Sequence, residues 1–348
     1  MTGQTMEILE KIKKAGLVGR GGACFPTAKK WEAVKTAVGA PLTSSGQVRK
    51  YVICNAAEGE PGVHKDGYII EHYPEKLING MKIAIDFIKA EKGYLFLNYS
   101  YNKKFNKKLV PLLKDSKIEI FVKPLKAGYI GGEESSILNA IEGKKIEPNL
   151  RPPFPTTIGL FGCPTLINNV ETFYNVSLVS AGQFASKRFY TITGDCLHEG
   201  VYELADNLTI EKILKQTGNY PKFTFFIQIG GLAAGEILNS AQLKNTVSGA
   251  GSIAVYSLAK NNFKKIIAGW LSFFTNESCG QCTTCREGTY RLNEIFMKEK
   301  IDWELFNDLL DNLSDTSLCA LGCSVPIAIK SLIKNVYPQI NHPNESTN

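Results

Sequence analysis

Five of the nine cysteines fall in one short part of the chain, and three of them are evenly spaced. The stretch ESCGQCTTCREG separates Cys279, Cys282 and Cys285 by two residues each. Spacers of this length let a curled backbone point three thiolates at one centre, so that a fourth ligand must come from elsewhere. The stretch SLCALGCSVP offers Cys319 or Cys323 for that role. The C-x2-C-x2-C pattern predicts a [4Fe–4S] cluster.

Zinc is the competing interpretation of the same thiols. Structural zinc sites usually combine paired C-x2-C units, or one such unit with histidines. Three cysteines in a row leave an awkward middle ligand, and no histidine lies between His198 and His342. The sequence therefore favours an iron–sulfur cluster over zinc, with free structural thiols as a third interpretation.

A glycine-rich loop near the N-terminus is the second candidate for chemistry. The stretch GLVGRGG places Gly16, Gly19, Gly21 and Gly22 between two predicted helices. Glycines allow a backbone to approach a phosphate or an aromatic ring closely, and the N–H groups at a helix start favour an anion. A simple turn explains the same pattern. The loop does not follow a strand, as the G-x-G-x-x-G of a Rossmann unit does.

Two further loops combine glycines with carboxylates. GYIGGEE leads into a predicted helix with Glu133 and Glu134 in its first turn, where they suit the helix dipole or could accept hydrogen bonds from a ribose. NAAEGEPG gathers Asn55, Glu58 and Glu60 after a predicted strand. A centre for single electrons and a pocket for a nucleotide cofactor together indicate an electron-transfer enzyme.

The elements that must position these loops alternate between helix and strand in the first half of the chain. The predicted strands are YVICN, GYLFLN and IEIFV, separated by amphipathic helical segments. This alternation predicts a parallel sheet with helices on both faces. Ligands of such sheets bind beyond the carboxyl ends of the strands, where NAAEGEPG and GYIGGEE both fall. The proline-rich segment 148–165 is expected to be a structured loop.

The second half changes character twice. Short predicted strands surround one helix from about residue 187, which indicates a small α+β module. Their sequences are RFYTITGD, EGVYEL, FTFFIQIGG and SIAVYSL. From about residue 262 the chain is predicted to be helical, ending in a frayed tail.

Composition narrows the class of protein. The 348 residues are 44% hydrophobic and 21% charged, as in soluble globular proteins, and contain no apolar run that could span a bilayer. The first residues lack the apolar core of a secretion signal, so we expect a cytoplasmic protein with reduced cysteines. The net charge of +7 is scattered lysine, which fits a solvated surface or a docking face for an acidic partner or dinucleotide phosphates, but not nucleic acid.

Five motifs, in order, resemble the flavin- and NADH-binding subunit of respiratory complex I, which also occurs in NAD-linked hydrogenases and formate dehydrogenases. They are GRGGACFPTAKKW, NAAEGEPGVHKD, GGEESSILNAIEGK, PPFPTTIGLFGCPTLINNVET and ESCGQCTTCREGT. The resemblance covers nearly the whole chain. It implies an α/β FMN- and NADH-binding domain over 1–185, a ubiquitin-like β-grasp domain over 186–260, a helical [4Fe–4S] domain over 261–340 and a tail over 341–348.

The resemblance also implies a set of site residues. Phe25 and Phe154 match positions that sandwich the adenine of NADH, and Glu134 matches a carboxylate near its adenosine ribose, which would repel the extra phosphate of NADPH. No catalytic base is implied, and Glu58 is the candidate nearest the nicotinamide. The cluster ligands are matched by Cys279, Cys282, Cys285 and Cys319, so that Cys323 is predicted to pack rather than to bind iron. The FMN contacts are matched by Gly19, Arg20, Gly21, Gly22, Lys30, Asn55, Glu58, Gly59, Gly132, Glu133, Glu134, Asn168, Asn169 and Thr172.

The implied function is oxidation of NADH, with a hydride passing to FMN and single electrons to the cluster and onward, towards quinone. The implied partners are a small thioredoxin-like [2Fe–2S] subunit and a larger iron–sulfur subunit. The chain would associate with the inner face of a membrane only indirectly, through these partners. The diaphorase subunit of a soluble hydrogenase or formate dehydrogenase shares every motif. Protons, CO2 and ferredoxin are therefore alternatives to quinone as the terminal electron acceptor.

Several positions depart from the family pattern. Ala57 replaces a carboxylate that helps to place the flavin, and Ala33 replaces an aromatic residue that helps to hold adenine. Cys24, Ala28 and Gly131 also differ from the usual residues. These changes bear on flavin affinity and on the choice between NADH and NADPH, and they motivate a hypothesis of another class, a non-catalytic assembly module that has lost flavin.

Overall fold

A computed structural model describes residues 3–38, 46 and 48–338 of the chain. Within it the chain forms two compact units. The first comprises residues up to 59 together with 64–188, and the second comprises 60–63 together with the chain from 189 onward.

The first unit is built on a parallel sheet. Its strands are β1 (Tyr51–Ala56), β2 (Lys92–Leu97), β3 (Ile118–Val122) and β4 (Thr165–Asn169), in the order β3-β2-β1-β4. All three described pairings are parallel, as the alternation of elements predicts. β4 was not predicted, because its sequence TLINN ends in two polar residues and follows a proline-rich loop.

Seven α-helices lie in the described residues of this unit. They are α1 (Gly3–Lys14), α2 (Thr27–Thr36), α3 (Lys65–His72), α4 (Pro74–Ile88), α5 (Tyr99–Leu113), α6 (Glu134–Ile141) and α7 (Val170–Ser180). On one face of the sheet, Ile53 and Ile167 pack against Ile137 of α6. α4 and α7 cross so closely that a Cβ on Gly80 would lie 1.9 Å from the carbonyl oxygen of Phe173, which explains the glycine.

The second unit begins with a mixed sheet of five strands. They are β5 (Lys187–Gly194), β6 (Gly200–Ala205), β7 (Phe225–Ile229), β8 (Glu236–Asn239) and β9 (Ser252–Ser257), in the order β6-β5-β9-β7-β8. β5 and β9 are parallel, whereas β7 is antiparallel to both β8 and β9. Helix α8 (Ile210–Gln216) contributes Ile210, Ile213 and Leu214 to the core of this sheet. The α+β module expected from residue 187 is therefore present.

Four helices follow, α9 (Phe263–Glu277), α10 (Thr283–Phe296), α11 (Trp303–Thr316) and α12 (Ala320–Asn335). α12 covers the edge strand β8: Ile237 N–H donates to Ser331 Oγ at 2.9 Å, and Asn335 Nδ2 donates to the Ile237 carbonyl at 2.7 Å. These hydrogen bonds pair backbone groups of the edge strand β8 that could otherwise pair with a strand of another chain. None of the described helices combines the length and apolar character that a membrane span requires.

Candidate functional site

The first candidate site lies where the strand order of the parallel sheet reverses. β1 is followed by β2 and β3 on one side, whereas β4 pairs with β1 on the other. The register sets Asn55, near the end of β1, opposite Asn169, the last residue of β4. Open α/β sheets bind ligands in the crevice at such a reversal, beyond the carboxyl ends of the strands. The topology thus brings together two residues that the resemblance implies as FMN contacts.

The glycine loop is fastened to the start of α7. Arg20 N–H donates to Thr172 Oγ1 at 3.0 Å, and a Cβ on Gly21 would lie 3.3 Å from the Cβ of Asn169. Within the loop, Gly19 N–H donates to the Phe25 carbonyl at 2.8 Å. Segments far apart in sequence therefore hold one another, and Thr172 acts here as the acceptor that fixes the loop backbone.

The side chain of Asn169 makes all of its hydrogen bonds inside the protein. Its Oδ1 accepts from Lys65 Nζ and from Glu171 N–H, both at 3.0 Å. Its Nδ2 donates to Asp66 Oδ2 at 2.6 Å and to the Asn55 carbonyl at 3.4 Å. An amide has two acceptor and two donor positions, and all four are used. Asn169 therefore supports the crevice structurally, because its amide has no hydrogen-bonding position left for a ligand.

A buried charge cluster lies behind Asn169. Lys65 Nζ lies 2.7 Å from Asp66 Oδ1 and 3.2 Å from Glu171 Oε2, and the three side chains are at most 4% exposed. Residue patterns did not indicate this cluster, although HKD and VET belong to the motifs quoted above. A lysine that follows a loop is normally exposed to solvent. Only the position of Lys65 within these motifs could have indicated that it is buried.

Glu58 points into the protein and binds the start of α3. Its carboxylate accepts from Asp66 N–H at 2.7 Å, from Gly67 N–H at 3.0 Å and from the Tyr101 hydroxyl. Burial, and then the negative charge of Asp66, raise the pKa of Glu58 to about 8. Its backbone has φ +29°, so the residue is held in an uncommon conformation at the strand end. Tyr101 is a further site neighbour that the sequence did not indicate.

Ion pairs join the remaining polar residues implied by the family. Lys30 pairs with Glu134 and donates to the Ile167 carbonyl at 2.8 Å. Arg151 pairs with Glu133 and lies 3.8 Å from Glu134. The carboxylate expected near the ribose of NADH thus stands between two cations.

Hydrogen bonds fix the loop before α6 as well. Glu133 caps the helix, because its Oε2 accepts from Ser135 N–H and Ser136 N–H at 2.9 Å each. Asn55 Nδ2 donates to the Gly132 carbonyl at 2.9 Å, which ties this loop to β1.

Asn168 faces away from these loops, towards α2. With its amide oriented to satisfy both of its polar groups, it accepts from Trp31 Nε1 at 3.0 Å and donates to the Ile167 carbonyl at 2.9 Å. Its amide therefore holds α2 against β4.

The crevice residues fit a flavin mononucleotide and a dinucleotide. A Cβ on Gly22 would meet no atom within 4 Å, so the glycine loop is open on that face. Thr27 Oγ1, at the start of α2, is buried and makes no hydrogen bond in the described part of the chain. Phe25 and Phe154 are 52% and 53% exposed, as rings that stack on a ligand must be when none is bound.

The second candidate site gathers four thiols at two helix starts. Cys279 lies in the loop after α9, Cys282 precedes the first residue of α10, and Cys285 lies in its first turn. Cys319 precedes the first residue of α12. α12 packs closely against the start of α10, since a Cβ on Gly322 would lie 3.3 Å from the Cβ of Cys285. Two helix N-termini therefore point partial positive charge at one set of thiolates.

The electrostatics of these thiols show that they share one site. Burial, together with smaller contributions from the thiolates of Cys282, Cys319 and Cys279, raises the pKa of Cys285 to about 11. Burial also raises the pKa of Cys319, with further contributions from Cys279 and Cys282. Iron must therefore displace protons when it binds.

The donors that the sequence predicts at the second site are four thiols, which is the ligand set of a [4Fe–4S] cluster.

Comparisons with known proteins agree with both sites. The Nuo51 FMN-binding domain model matches residues 12–178, and the NADH-ubiquinone oxidoreductase-F iron-sulfur binding region matches residues 265–342. The NADH-quinone oxidoreductase F subunit of Aquifex aeolicus is 32% identical over 91% of this chain and 81% of that protein. One of the corresponding F subunits of Rhizobium meliloti is 31% identical, over 94% and 86% respectively.

Hydrogenase chains match as well. The alpha subunit of the NAD-reducing hydrogenase HoxS of Cupriavidus necator is 31% identical over 96% of this chain. The crystal structure of an NAD+-reducing [NiFe]-hydrogenase in its H2-reduced state superposes with a TM-score of 0.86 at 28% identity over 98% of this chain. The chain spans only 60% and 63% of these two hydrogenase chains. The two regions match in order, and the similarity to F subunits extends along nearly the whole chain. This protein therefore belongs to the family of NADH-quinone oxidoreductase F subunits, with an FMN-binding domain and a [4Fe–4S] region.

Proposed function

We propose that this chain is the NADH-oxidising subunit of a larger oxidoreductase and passes electrons to partner iron–sulfur subunits, towards quinone. The observation that carries the proposal is the presence, in one chain, of a flavin-binding region at a sheet reversal and a four-thiol site at two helix starts. When bound, FMN accepts a hydride from NADH and the cluster carries electrons one at a time.

The residues of the first unit then bind and orient the two nucleotides. Phe25 and Phe154 would stack on the adenine of NADH, for which their exposed rings are available. Glu134 would accept hydrogen bonds from the adenosine ribose. FMN would be held by the glycine loop, by the ends of β1 and β4 and by the start of α6, through the residues that the resemblance implies. Of these, Asn169 and Thr172 would act by holding the loop, and Asn168 by holding α2 against β4, rather than by direct contact.

Glu58 would stay turned towards α3, where three donors fix its carboxylate beside the FMN crevice. Cys279, Cys282, Cys285 and Cys319 would hold the cluster, and the starts of α10 and α12 would stabilise its negative charge. No residue in this scheme needs to act as a general base, because a hydride moves directly between two cofactors.

We further propose the finer organisation that the resemblance implies. The mixed sheet would form a β-grasp domain within 186–260, between a nucleotide domain over 1–185 and a cluster domain over 261–340. A thioredoxin-like [2Fe–2S] subunit and a larger iron–sulfur subunit would be the partners. The complex would place the chain in the cytoplasm at the inner face of a membrane.

A hydrogenase diaphorase is the second candidate, favoured by the TM-score of 0.86 to the NAD+-reducing hydrogenase chain. Its electrons would be exchanged with a hydrogenase subunit instead of quinone-linked partners. The genes beside this one discriminate the two, because membrane subunits of a quinone module support the first candidate and a hydrogenase catalytic subunit supports the second.

The visible spectrum of anaerobically reconstituted protein, before and after addition of NADH, tests the proposal. We expect flavin bands over a broad iron–sulfur shoulder, both bleached by NADH. A colourless, zinc-binding protein would contradict the proposal and support the assembly module. A cluster spectrum without flavin would assign the loss to Ala57, whose side chain is buried and faces Gly132.

A further inference from the structure

A fifth thiol accompanies the four cluster ligands. Cys323 lies in the first turn of α12, and its N–H donates to the carbonyl of Cys319 at 3.2 Å. The helix that Cys319 precedes therefore carries a second thiol in its first turn, hydrogen-bonded through its backbone to the cluster ligand.

The surroundings of Cys323 are those of the cluster site. Its thiol lies 3.5 Å from the carbonyl of Ser317, in the segment that leads into Cys319. Cys282 is an electrostatic neighbour of both Cys319 and Cys323. Gly322, between the two thiols, is the residue at which α12 approaches Cys285. Cys323 is half-buried rather than enclosed in the apolar core.

We propose that Cys323 is a reserve ligand, which binds the cluster iron in place of Cys319 when the Cys319 thiol is lost. This inference rests on the proposed function, since it requires a cluster at this site. The exchange is a ligand substitution without change of oxidation state: where Cys319 is lost, a solvent ligand on the iron leaves, a bond from that iron to Cys323 Sγ forms, and the thiol proton of Cys323 passes to solvent. A site with four thiols alone has no such replacement.

Anaerobic reconstitution of four variants tests the proposal, with iron and sulfide content and the electron paramagnetic resonance spectrum as readouts. We expect Cys323→Ala to match the wild type. We expect Cys319→Ala to retain about four irons per chain, with altered g-values. The double variant C319A/C323A should lose the cluster. The matched double variant C319A/C196A should retain it, because Cys196 lies in the turn after β5, outside the thiol cluster.

Alkylation of the loaded proteins gives a second readout that does not depend on activity. Cys323 should react with iodoacetamide in the wild type and be protected in Cys319→Ala. Cluster loss in Cys319→Ala equal to that in C319A/C323A, with circular dichroism showing both folded, would overturn the proposal. A wild type that binds no iron would instead contradict the proposed function, so the two failures are distinguishable.

Discussion

The ammonium of Lys65 lies 2.7 Å from a carboxylate oxygen of Asp66, with both side chains buried behind the crevice at the ends of β1 and β4. Glu171 approaches the same ammonium, at 3.2 Å. Lysines are seldom buried unless paired, and this one also donates to the Asn169 amide that supports the glycine loop. The rigidity of the crevice thus depends on the charge of Lys65, which need not contact a ligand.

Lys65→Met should destabilise the protein by about 3–5 kcal/mol, because it leaves the carboxylates of Asp66 and Glu171 buried without their cation. Urea unfolding followed by circular dichroism measures this loss. Lys104→Met is the control, because its pair with Glu71 is exposed and should contribute less than about 1 kcal/mol. Equal effects of the two substitutions would show that the buried cluster has no special role.

The pKa of Glu58, raised to about 8 from 4.5, predicts a pH dependence of stability. The folded protein binds this proton more tightly than the unfolded chain, so the contribution is complete below pH 4.5 and is lost as the pH rises through 8. The free energy of unfolding of the wild type, minus that of Glu58→Gln, should therefore fall between about pH 5 and 8.

Unfolding titrations of both proteins across this range measure the difference. Glu71→Gln serves as the control, since Glu71 is exposed and its pKa is lowered by its hydrogen bond with Lys104. A difference that rises with pH would mean that the hydrogen bonds from α3 and Tyr101 outweigh burial at Glu58.

Thr172→Val should weaken FMN binding roughly 5-fold, the equivalent of one hydrogen bond of about 1 kcal/mol. The substitution removes the oxygen that accepts from Arg20 N–H, so the glycine loop loses its anchor to α7. Quenching of FMN fluorescence during titration of the apoprotein gives the dissociation constants. Thr172→Ser keeps the hydroxyl and should bind FMN like the wild type, whereas equal weakening by Ser and Val would exclude the hydrogen bond as the cause.

Arg151→Ala should increase the preference for NADH over NADPH several-fold in kcat/KM. Arg151 pairs with Glu133 and lies 3.8 Å from Glu134, so it offsets the negative charge that would repel the extra phosphate of NADPH. Steady-state kinetics with both dinucleotides and an artificial acceptor provide the measurement. Lys144→Ala, which removes an exposed lysine paired with Glu142, should leave the preference unchanged. A reduced preference for NADH in Arg151→Ala would refute this assignment.

Residue patterns predicted the strands that are apolar along their length and the helices that are amphipathic. β1, β2 and β3 lie where their Val-, Ile-, Leu- and Phe-rich segments were predicted. β8 was missed because it has only four residues, and its edge is covered by α12, which is distant in sequence. The spacing of the cysteines predicted their chemistry, and the family model for the iron–sulfur region confirmed it.

The hydrogen-bond and ion-pair partners of the site residues could not be predicted from residue patterns in the same way. Lys65, Tyr101 and Glu171 have ordinary polar sequences around them, and only the fold buries them together. The direction of the Glu58 carboxylate depends on the start of α3, which a sequence pattern does not specify. Composition and periodicity indicate which segments pack, whereas the pairing of polar side chains depends on the register of β1 with β4.

Electrons from NADH should reach an iron–sulfur cluster held in the same chain. Low-temperature electron paramagnetic resonance of the reconstituted protein, frozen after anaerobic addition of NADH, tests this transfer most directly. We expect a fast-relaxing signal of a reduced [4Fe–4S] cluster in the wild type and its absence from Cys282→Ala, which should still bind FMN. Bleaching of the flavin by NADH in a wild type that holds iron but gives no cluster signal would contradict electron transfer within the chain.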